Sequence, residues 1–163
     1  AYRVSVYQDL MQRANLRLRP SGPDLVFIHL PLPHPPGFYN RRTQQFDTSG
    51  KRSYIDNLAL ADKSLGQLLA ALKQSPRWKN TSVVICGDHS WRVYMWENMP
   101  YWTAEDQAAS HGAVFDPRPM LMVHLAAQTT AATVNAPFPL LGVHTILDNL
   151  VQGRQPSFLT NGH

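Results

Sequence analysis

The chain has 163 residues, of which 44% are hydrophobic and 16% are charged. This length and composition fit a globular domain with a hydrophobic core and exclude a disordered polypeptide. The formal net charge is +4, but the basic residues are scattered and form no run of the kind that binds nucleic acid. We therefore expect no nucleic-acid partner.

A single cysteine, Cys86, excludes an internal disulfide framework and a cysteine-rich zinc site. Its position in the apolar run 83–86 predicts a buried, inert thiol. No apolar stretch reaches the roughly 18 residues of a membrane span, and the sequence shows no signal peptide.

The first half of the chain predicts helix, strand and helix. Apolar residues at helical spacing (Val6, Leu10, Ala14 and Leu18) predict a helix over residues 4–18. The apolar run 24–30, bounded by prolines, predicts a buried strand that leads into a polar, proline-rich loop. Residues 53–74 predict the longest helix, with Ser53 as its cap and an inward apolar stripe that includes Leu58 and one acid, Asp62.

The second half predicts strands over residues 81–86 and 119–126 and a final helix over residues 140–151. Helices between buried strands indicate an α/β fold, with a mostly parallel sheet, helices on both faces and a single domain over residues 1–163. Ligands of such sheets bind beyond the carboxyl ends of the strands. His34 follows the first predicted strand and Asp88 the second, so we expect these positions to converge.

Four positions in these loops can carry chemistry. Asp88 and His89 are a hard oxygen and a nitrogen donor for a divalent cation, or else a turn cap and a surface residue. His34, held among four prolines, can bind an anionic oxygen or protonate a leaving group, or else it lies in a plain surface loop. Arg92 can bond to a phosphate or sulfate, although a lone arginine is more often solvated.

Two further features stay open at this point. His111 precedes the third predicted strand in a segment that continues to Pro119. The aromatic residues between positions 91 and 102 form either a lid over a substrate or a small satellite core.

Four features in chain order carry a family resemblance. They are the strand running into Pro33-His34-Pro35, the helix with Tyr54 and Leu65-Gly66-Gln67-Leu68-Leu69, the strand ending in Gly87-Asp88-His89, and Ser110-His111-Gly112 followed by Arg118-Pro119. Their order resembles the C-terminal part of the catalytic domain in sulfatase-like and phosphoethanolamine-transferase-like proteins of the alkaline phosphatase superfamily. The resemblance covers about residues 24–152 and implies a partial alkaline-phosphatase-like fold.

The resemblance implies a role for each matching residue. Asp88 and His89 would bind one divalent metal ion, Mn, Zn, Ca or Mg. A single ion is expected because Leu30 stands where two-metal members have an aspartate. His34 and His111 would be catalytic residues that hold the non-bridging oxygens of a phosphoryl or sulfuryl group. Arg92, from its charge alone, completes the predicted substrate-binding set.

The implied activity is that of a metal-dependent hydrolase or transferase acting on an anionic phosphate or sulfate ester, in an extracytoplasmic (periplasmic or membrane-attached) parent protein. The family's nucleophile, a Thr, Ser or modified Cys, has no match in this sequence. We therefore expect the chain alone to be soluble and inactive and to bind metal weakly or not at all. The alternative is a non-catalytic α/β binding module whose polar clusters do not converge. A third interpretation makes the chain the periplasmic domain of a membrane-anchored enzyme.

Overall fold

The computed structural model describes residues 2–111, 117–135 and 137–154. The chain divides into two compact units. The larger unit comprises Ala1–Trp78 and Trp91–Asp116, and the smaller unit comprises Lys79–Ser90 and Pro117–His163. The assignment of residues 1–163 to one domain stays a prediction, and each unit is described by itself.

The larger unit is built on two packed helices, α1 (Tyr2–Arg17) and α2 (Tyr54–Lys73). In the sequence between these helices, β1 (Tyr39–Asn40) and β2 (Gln45–Phe46) form a small antiparallel hairpin. Two short helices follow, α3 (Val93–Trp96) and α4 (Ala104–Ala109). These elements enclose one hydrophobic cluster of buried residues: Tyr7, Met11, Ala14, Phe38, Tyr39, Leu60 and Leu68.

Helix α2 begins where the sequence predicts. The Ser53 side chain accepts a hydrogen bond of 2.9 Å from the backbone N–H of Asp56 and caps the helix. The predicted inward stripe is confirmed at Leu68, which is buried, but it is wrong at Leu58, which is 46% exposed, and at Asp62, which is exposed. The face that packs on the core is instead lined by Asn57, Leu60, Ser64 and Leu68.

Specific partners explain this rotation of the buried face. The Tyr7 hydroxyl lies 2.8 Å from the Ser64 hydroxyl, which also donates to the Leu60 carbonyl at 2.6 Å. A buried polar group with hydrogen-bond partners costs little to bury, so these polar residues can face inward. Helix α1 shows a similar shift, since Tyr7, Met11 and Ala14 are buried whereas Val6 is 41% exposed.

Residues 24–30, predicted as a buried strand, form no strand ladder. Exposure alternates along the segment: Ile28 and Leu30 pack against the core, while Leu25 is 66% and Phe27 is 89% exposed. No described residue forms a hydrogen bond with the backbone of residues 25–31. The period of two is therefore realised, but a strand also requires a hydrogen-bonded neighbour.

The smaller unit contains β3 (Val83–Cys86), β4 (Leu121–His124) and α5 (Gly142–Val151), each slightly shorter than predicted. The expected parallel pairing is wrong for these strands: β3 and β4 are antiparallel, with Val83 opposite His124. Gly87, which follows β3, donates to the carbonyl of Met120, which precedes β4, at 3.0 Å. The chain therefore leaves and re-enters the sheet at the same end, which is the antiparallel arrangement.

All strand pairs among the described ranges are antiparallel, so the fold is α/β in content without the predicted parallel sheet. Cys86 is exposed, contrary to the predicted buried thiol. It ends β3 opposite Leu121, and its other strand edge has no partner strand among the described residues. Ile146 of α5 is fully buried at 0% exposure.

Candidate functional site

Asp88 and His89 form a compact donor pair directly after β3. The His89 Nε2 atom lies 3.8 Å from the Asp88 Oδ2 atom, and the His89 Nδ1 atom lies 2.7 Å from the carbonyl oxygen of Ser90. Because a carbonyl can only accept, Nδ1 carries the hydrogen of this contact, and Nε2 faces the carboxylate. A backbone carbonyl that fixes the tautomer in this way is a common support for a metal-binding histidine.

This pair suits a divalent cation but supplies only two of the roughly four or more ligands that such ions take. The described ranges contain no cluster of three or more His, Cys, Asp or Glu side chains that could hold a metal ion. The Asp88 side chain is 79% exposed, so its carboxylate remains accessible to an incoming ion. The chemistry of the donor set therefore fits part of a metal site.

His34 lies in the proline-rich loop between residues 24–30 and β1. Its Nδ1 atom lies 2.6 Å from the Pro35 carbonyl oxygen, so here too Nδ1 is the donor and Nε2 is left for a ligand. The imidazole meets the Trp96 ring edge to face, with centroids 5.0 Å apart at 75°. An exposed imidazole held in one orientation can donate to an anion when it is protonated.

Two side chains hold the backbone of this loop. Arg3 Nη2 donates to the His34 carbonyl at 2.9 Å, and Asn57 Nδ2 donates to the same oxygen at 3.2 Å. Arg3 also bonds to the Pro36 carbonyl, and burial lowers the pKa of its guanidinium. Asn57 is 0% exposed and its Oδ1 accepts the Phe38 N–H at 3.0 Å. The position of His34 is therefore set from α1 and α2.

His111 follows helix α4, which a capping box holds at its start. The Thr103 and Asp106 side chains each accept the other's backbone N–H at 3.1 Å. Asp106 is 1% exposed, and its second oxygen accepts the Tyr54 N–H at 2.8 Å, which ties α4 to the first turn of α2. His111 has a φ of 50°, a left-handed conformation typical of the residue that ends a helix. Gly112, the next residue of the motif, lies outside the described residues.

An ionic bridge adds to this link between α2 and α4. Arg41 bonds to Asp56 at 3.0 Å and to both carboxylate oxygens of Glu105, and the Ser53 hydroxyl donates to Glu105 at 3.1 Å. The Arg41 hydrogen bond is the main reason that the pKa of Glu105 falls to about 2. A lowered carboxyl pKa stabilises the fold above the ordinary value of 4.5, and this contribution is lost as the pH falls towards 2.

The aromatic residues between positions 91 and 102 pack on one another. Trp91 stacks on Tyr54 with centroids 4.4 Å apart at 8°, and Trp102 lies 5.7 Å from Trp91. The cavity among them measures about 10 Å³, which is room for one water molecule at most. Trp91 Nε1 is buried without a hydrogen-bond partner among the described residues. The packing favours the satellite core over the lid.

Arg92 stands at the N-cap position of α3 and makes no capping bond there. Its half-buried guanidinium forms no hydrogen bond or ion pair with the described part of the chain. It belongs to the larger unit together with His34 and His111, whereas Asp88 and His89 belong to the smaller unit.

A comparison with protein families bears on these residues. The family model described as Sulfatase matches residues 5–121, which is more than half of the chain. The chain belongs to the sulfatase family. No curated protein and no solved structure gives a significant match.

Membership of the sulfatase family confirms the resemblance and indicates hydrolase chemistry. Sulfatases act on sulfate esters and generally use a divalent metal ion. The matched range contains every predicted site residue of this sulfatase chain: His34, Asp88, His89, Arg92 and His111. Within the described residues, no helix has the length and apolar character that a membrane crossing requires.

Sequence reasoning missed the residues that support the site. Arg3 and Asn57 lie 31 and 23 residues from His34 along the chain, and no local pattern links them to it. Asp106 had a weak signal, since Thr103 followed three residues later by an acid is a capping pattern.

Proposed function

We propose that this chain supplies the substrate-binding residues and part of the metal shell of a sulfatase-family enzyme that hydrolyses or transfers a phosphate or sulfate ester. The observation that carries the proposal is that the imidazoles of His34 and His89 make the same kind of hydrogen bond. In both, an Nδ1–H bond to a neighbouring carbonyl leaves Nε2 available to a ligand. Two histidines prepared in this way within family-matched segments support a ligand-binding role.

Each residue has a distinct part in this function. Asp88 and His89 would hold a divalent ion, Mn, Zn, Ca or Mg, which when bound stabilises the negative charge that develops on the ester oxygens. Protonated His34 and His111, with Arg92, would bind the non-bridging oxygens by charge-assisted hydrogen bonds. No match to the family's nucleophile occurs in the sequence, so we expect the chain alone to bind an oxyanion without turning over an ester.

The proposal includes a parallel pairing of two segments of the chain. Residues 24–30 run into His34 and β3 runs into Asp88, so a parallel arrangement of these two segments would bring the two groups to one edge. An extracytoplasmic, membrane-attached parent enzyme stays part of the proposal.

Sulfate titration followed through the imidazole NMR signals tests the substrate-binding role. We expect sulfate to shift the signals of His34 and His111, because a protonated imidazole donates to the anion. His34→Gln and His111→Gln should each weaken binding by about tenfold, the loss of one charge-assisted bond.

His144→Gln is the matched control, since His144 is exposed in α5 and pairs with Asp148 at 3.1 Å. It should leave the sulfate affinity unchanged. A chain whose His34 and His111 signals ignore sulfate, or move no more than that of His144, would instead support the non-catalytic binding module.

A further inference from the structure

We infer that Trp96 is a positioning residue for His34, because its indole fixes the plane of the imidazole that would bind the oxyanion of the ester. The inference rests on the proposed function for the identity of the ligand, whereas the orientation of the ring can be measured without a ligand. The contact is edge to face, with the centroids of the two rings 5.0 Å apart at 75°. This separation and this angle lie within the range of favourable aromatic pairs.

The hydrogen bond between His34 and Pro35 leaves the imidazole partly free. Nδ1 lies 2.6 Å from the carbonyl oxygen of Pro35, and such a bond tolerates a departure of about 30° from linearity. A binding group works only when it is held within about 10–20° of its productive direction. Among the described residues, the Trp96 ring is the one further group that restrains this imidazole. Trp96 therefore supplies the second restraint that the hydrogen bond alone lacks.

Trp96 is itself held in place. It ends helix α3, whose first residue, Val93, is 6% exposed. Its ring lies 6.3 Å from that of Tyr101, and together with Pro35 these two rings line the cavity of about 10 Å³. That cavity gives the indole no free volume into which it could turn. The indole therefore presents a fixed surface to His34.

The backbone and the ring of His34 are held by different elements. Its carbonyl oxygen accepts hydrogen bonds from Arg3 of α1 and Asn57 of α2, whereas its ring contacts Trp96 of α3. A change at Trp96 should therefore alter the direction of the imidazole and leave the path of the loop in place. When the imidazole is protonated, Nδ1–H remains on the Pro35 carbonyl and Nε2–H is the donor for the oxyanion.

The tautomer of the neutral His34 imidazole tests the positioning without a ligand. Long-range proton–nitrogen NMR spectra distinguish the Nδ1–H form from the Nε2–H form. We expect the Nδ1–H form in the unmodified chain, with nuclear Overhauser effects between the imidazole and the indole. Trp96→Ala should raise the share of the Nε2–H form by about two- to tenfold, because a ring that swings loses its bond to Pro35. Trp96→Phe should restore the Nδ1–H form, since a phenyl ring can meet the imidazole in the same way.

Trp102→Ala is the matched control. Trp102 belongs to the same aromatic cluster, but its ring contacts Trp91 and its indole N–H donates to Gln107 at 2.9 Å. The control therefore removes the same amount of aromatic side chain and should leave the His34 tautomer unchanged. A Trp96→Ala chain that keeps the tautomer ratio of the unmodified chain would overturn the inference. An equal shift of that ratio in Trp102→Ala would overturn it as well.

Sulfate affinity then tests the effect of the orientation on binding. At a single pH, Trp96→Ala should bind sulfate about two- to tenfold more weakly than the unmodified chain, and Trp96→Phe should bind it about as well. An altered tautomer ratio with an unchanged sulfate affinity would overturn the role of Trp96 in binding. If the His34 signals of the unmodified chain ignore sulfate, the proposed function fails, and the tautomer ratios still decide whether Trp96 orients the ring.

Discussion

Replacing Asn57 with alanine should lower the free energy of unfolding by about 2–4 kcal/mol. The Asn57 side chain is fully buried and bonds to the Phe38 N–H and the His34 carbonyl. The variant leaves the buried Phe38 N–H without an acceptor, and an unsatisfied buried donor costs about 1–3 kcal/mol in addition to the lost packing. Denaturant unfolding measures the change.

Asn15→Ala is the matched control for this effect. Asn15 is exposed, and its side chain also bonds to a backbone carbonyl, that of Met11, at 3.0 Å. Its loss should cost no more than about 0.5 kcal/mol, as for other surface substitutions. The Asn57 variant should in addition broaden the His34 imidazole signal, since the loop loses one of its two side-chain clamps. If Asn57→Ala lowers the free energy of unfolding no more than Asn15→Ala does, the hydrogen bonds of Asn57 do not hold the His34 loop in place.

Asp106→Ala should lower the free energy of unfolding by about 2–3 kcal/mol and loosen α4. The carboxylate accepts bonds from the backbone of Thr103 and Tyr54 and from the Thr103 hydroxyl, the last at 2.8 Å. A lost helix cap costs about 1 kcal/mol, and the buried Tyr54 link adds a second term. Amides of Ala104–Ala109 should exchange faster, and the His111 signal should shift with them.

Asp62→Ala provides the comparison, because Asp62 lies exposed on α2. We expect it to leave the unfolding midpoint and the His111 signal unchanged. Unaltered exchange in α4 of the Asp106 variant would mean that the capping box does not position His111.

The sequence patterns predicted those parts of the fold that depend on residues close together in the chain. Ser53 caps α2 as expected, and the apolar run before Gly87 is a strand. The motifs around His34, Asp88 and His111 indicated the family that the comparison confirmed. In each case a few neighbouring residues specify the feature, through a cap, a period or a short motif.

Contacts between distant residues were beyond the reach of these patterns. The buried face of α2 depends on Tyr7, whose hydroxyl forms a hydrogen bond with Ser64, 57 residues away along the chain. The direction of β4 depends on where the chain returns after a long aromatic segment, which no period encodes. The clamps on the His34 carbonyl come from Arg3 and Asn57, which carry no signal of their own in the sequence.

Relaxation by manganese gives the most direct test that His34, His111 and the Asp88–His89 pair serve one site. The unmodified chain would be titrated with Mn²⁺ to millimolar concentration, because two ligands bind weakly, while the histidine side-chain signals are recorded. We predict that His34 and His111 broaden together with His89, and that Asp88→Asn abolishes all three effects. Broadening of His89 alone would contradict the account.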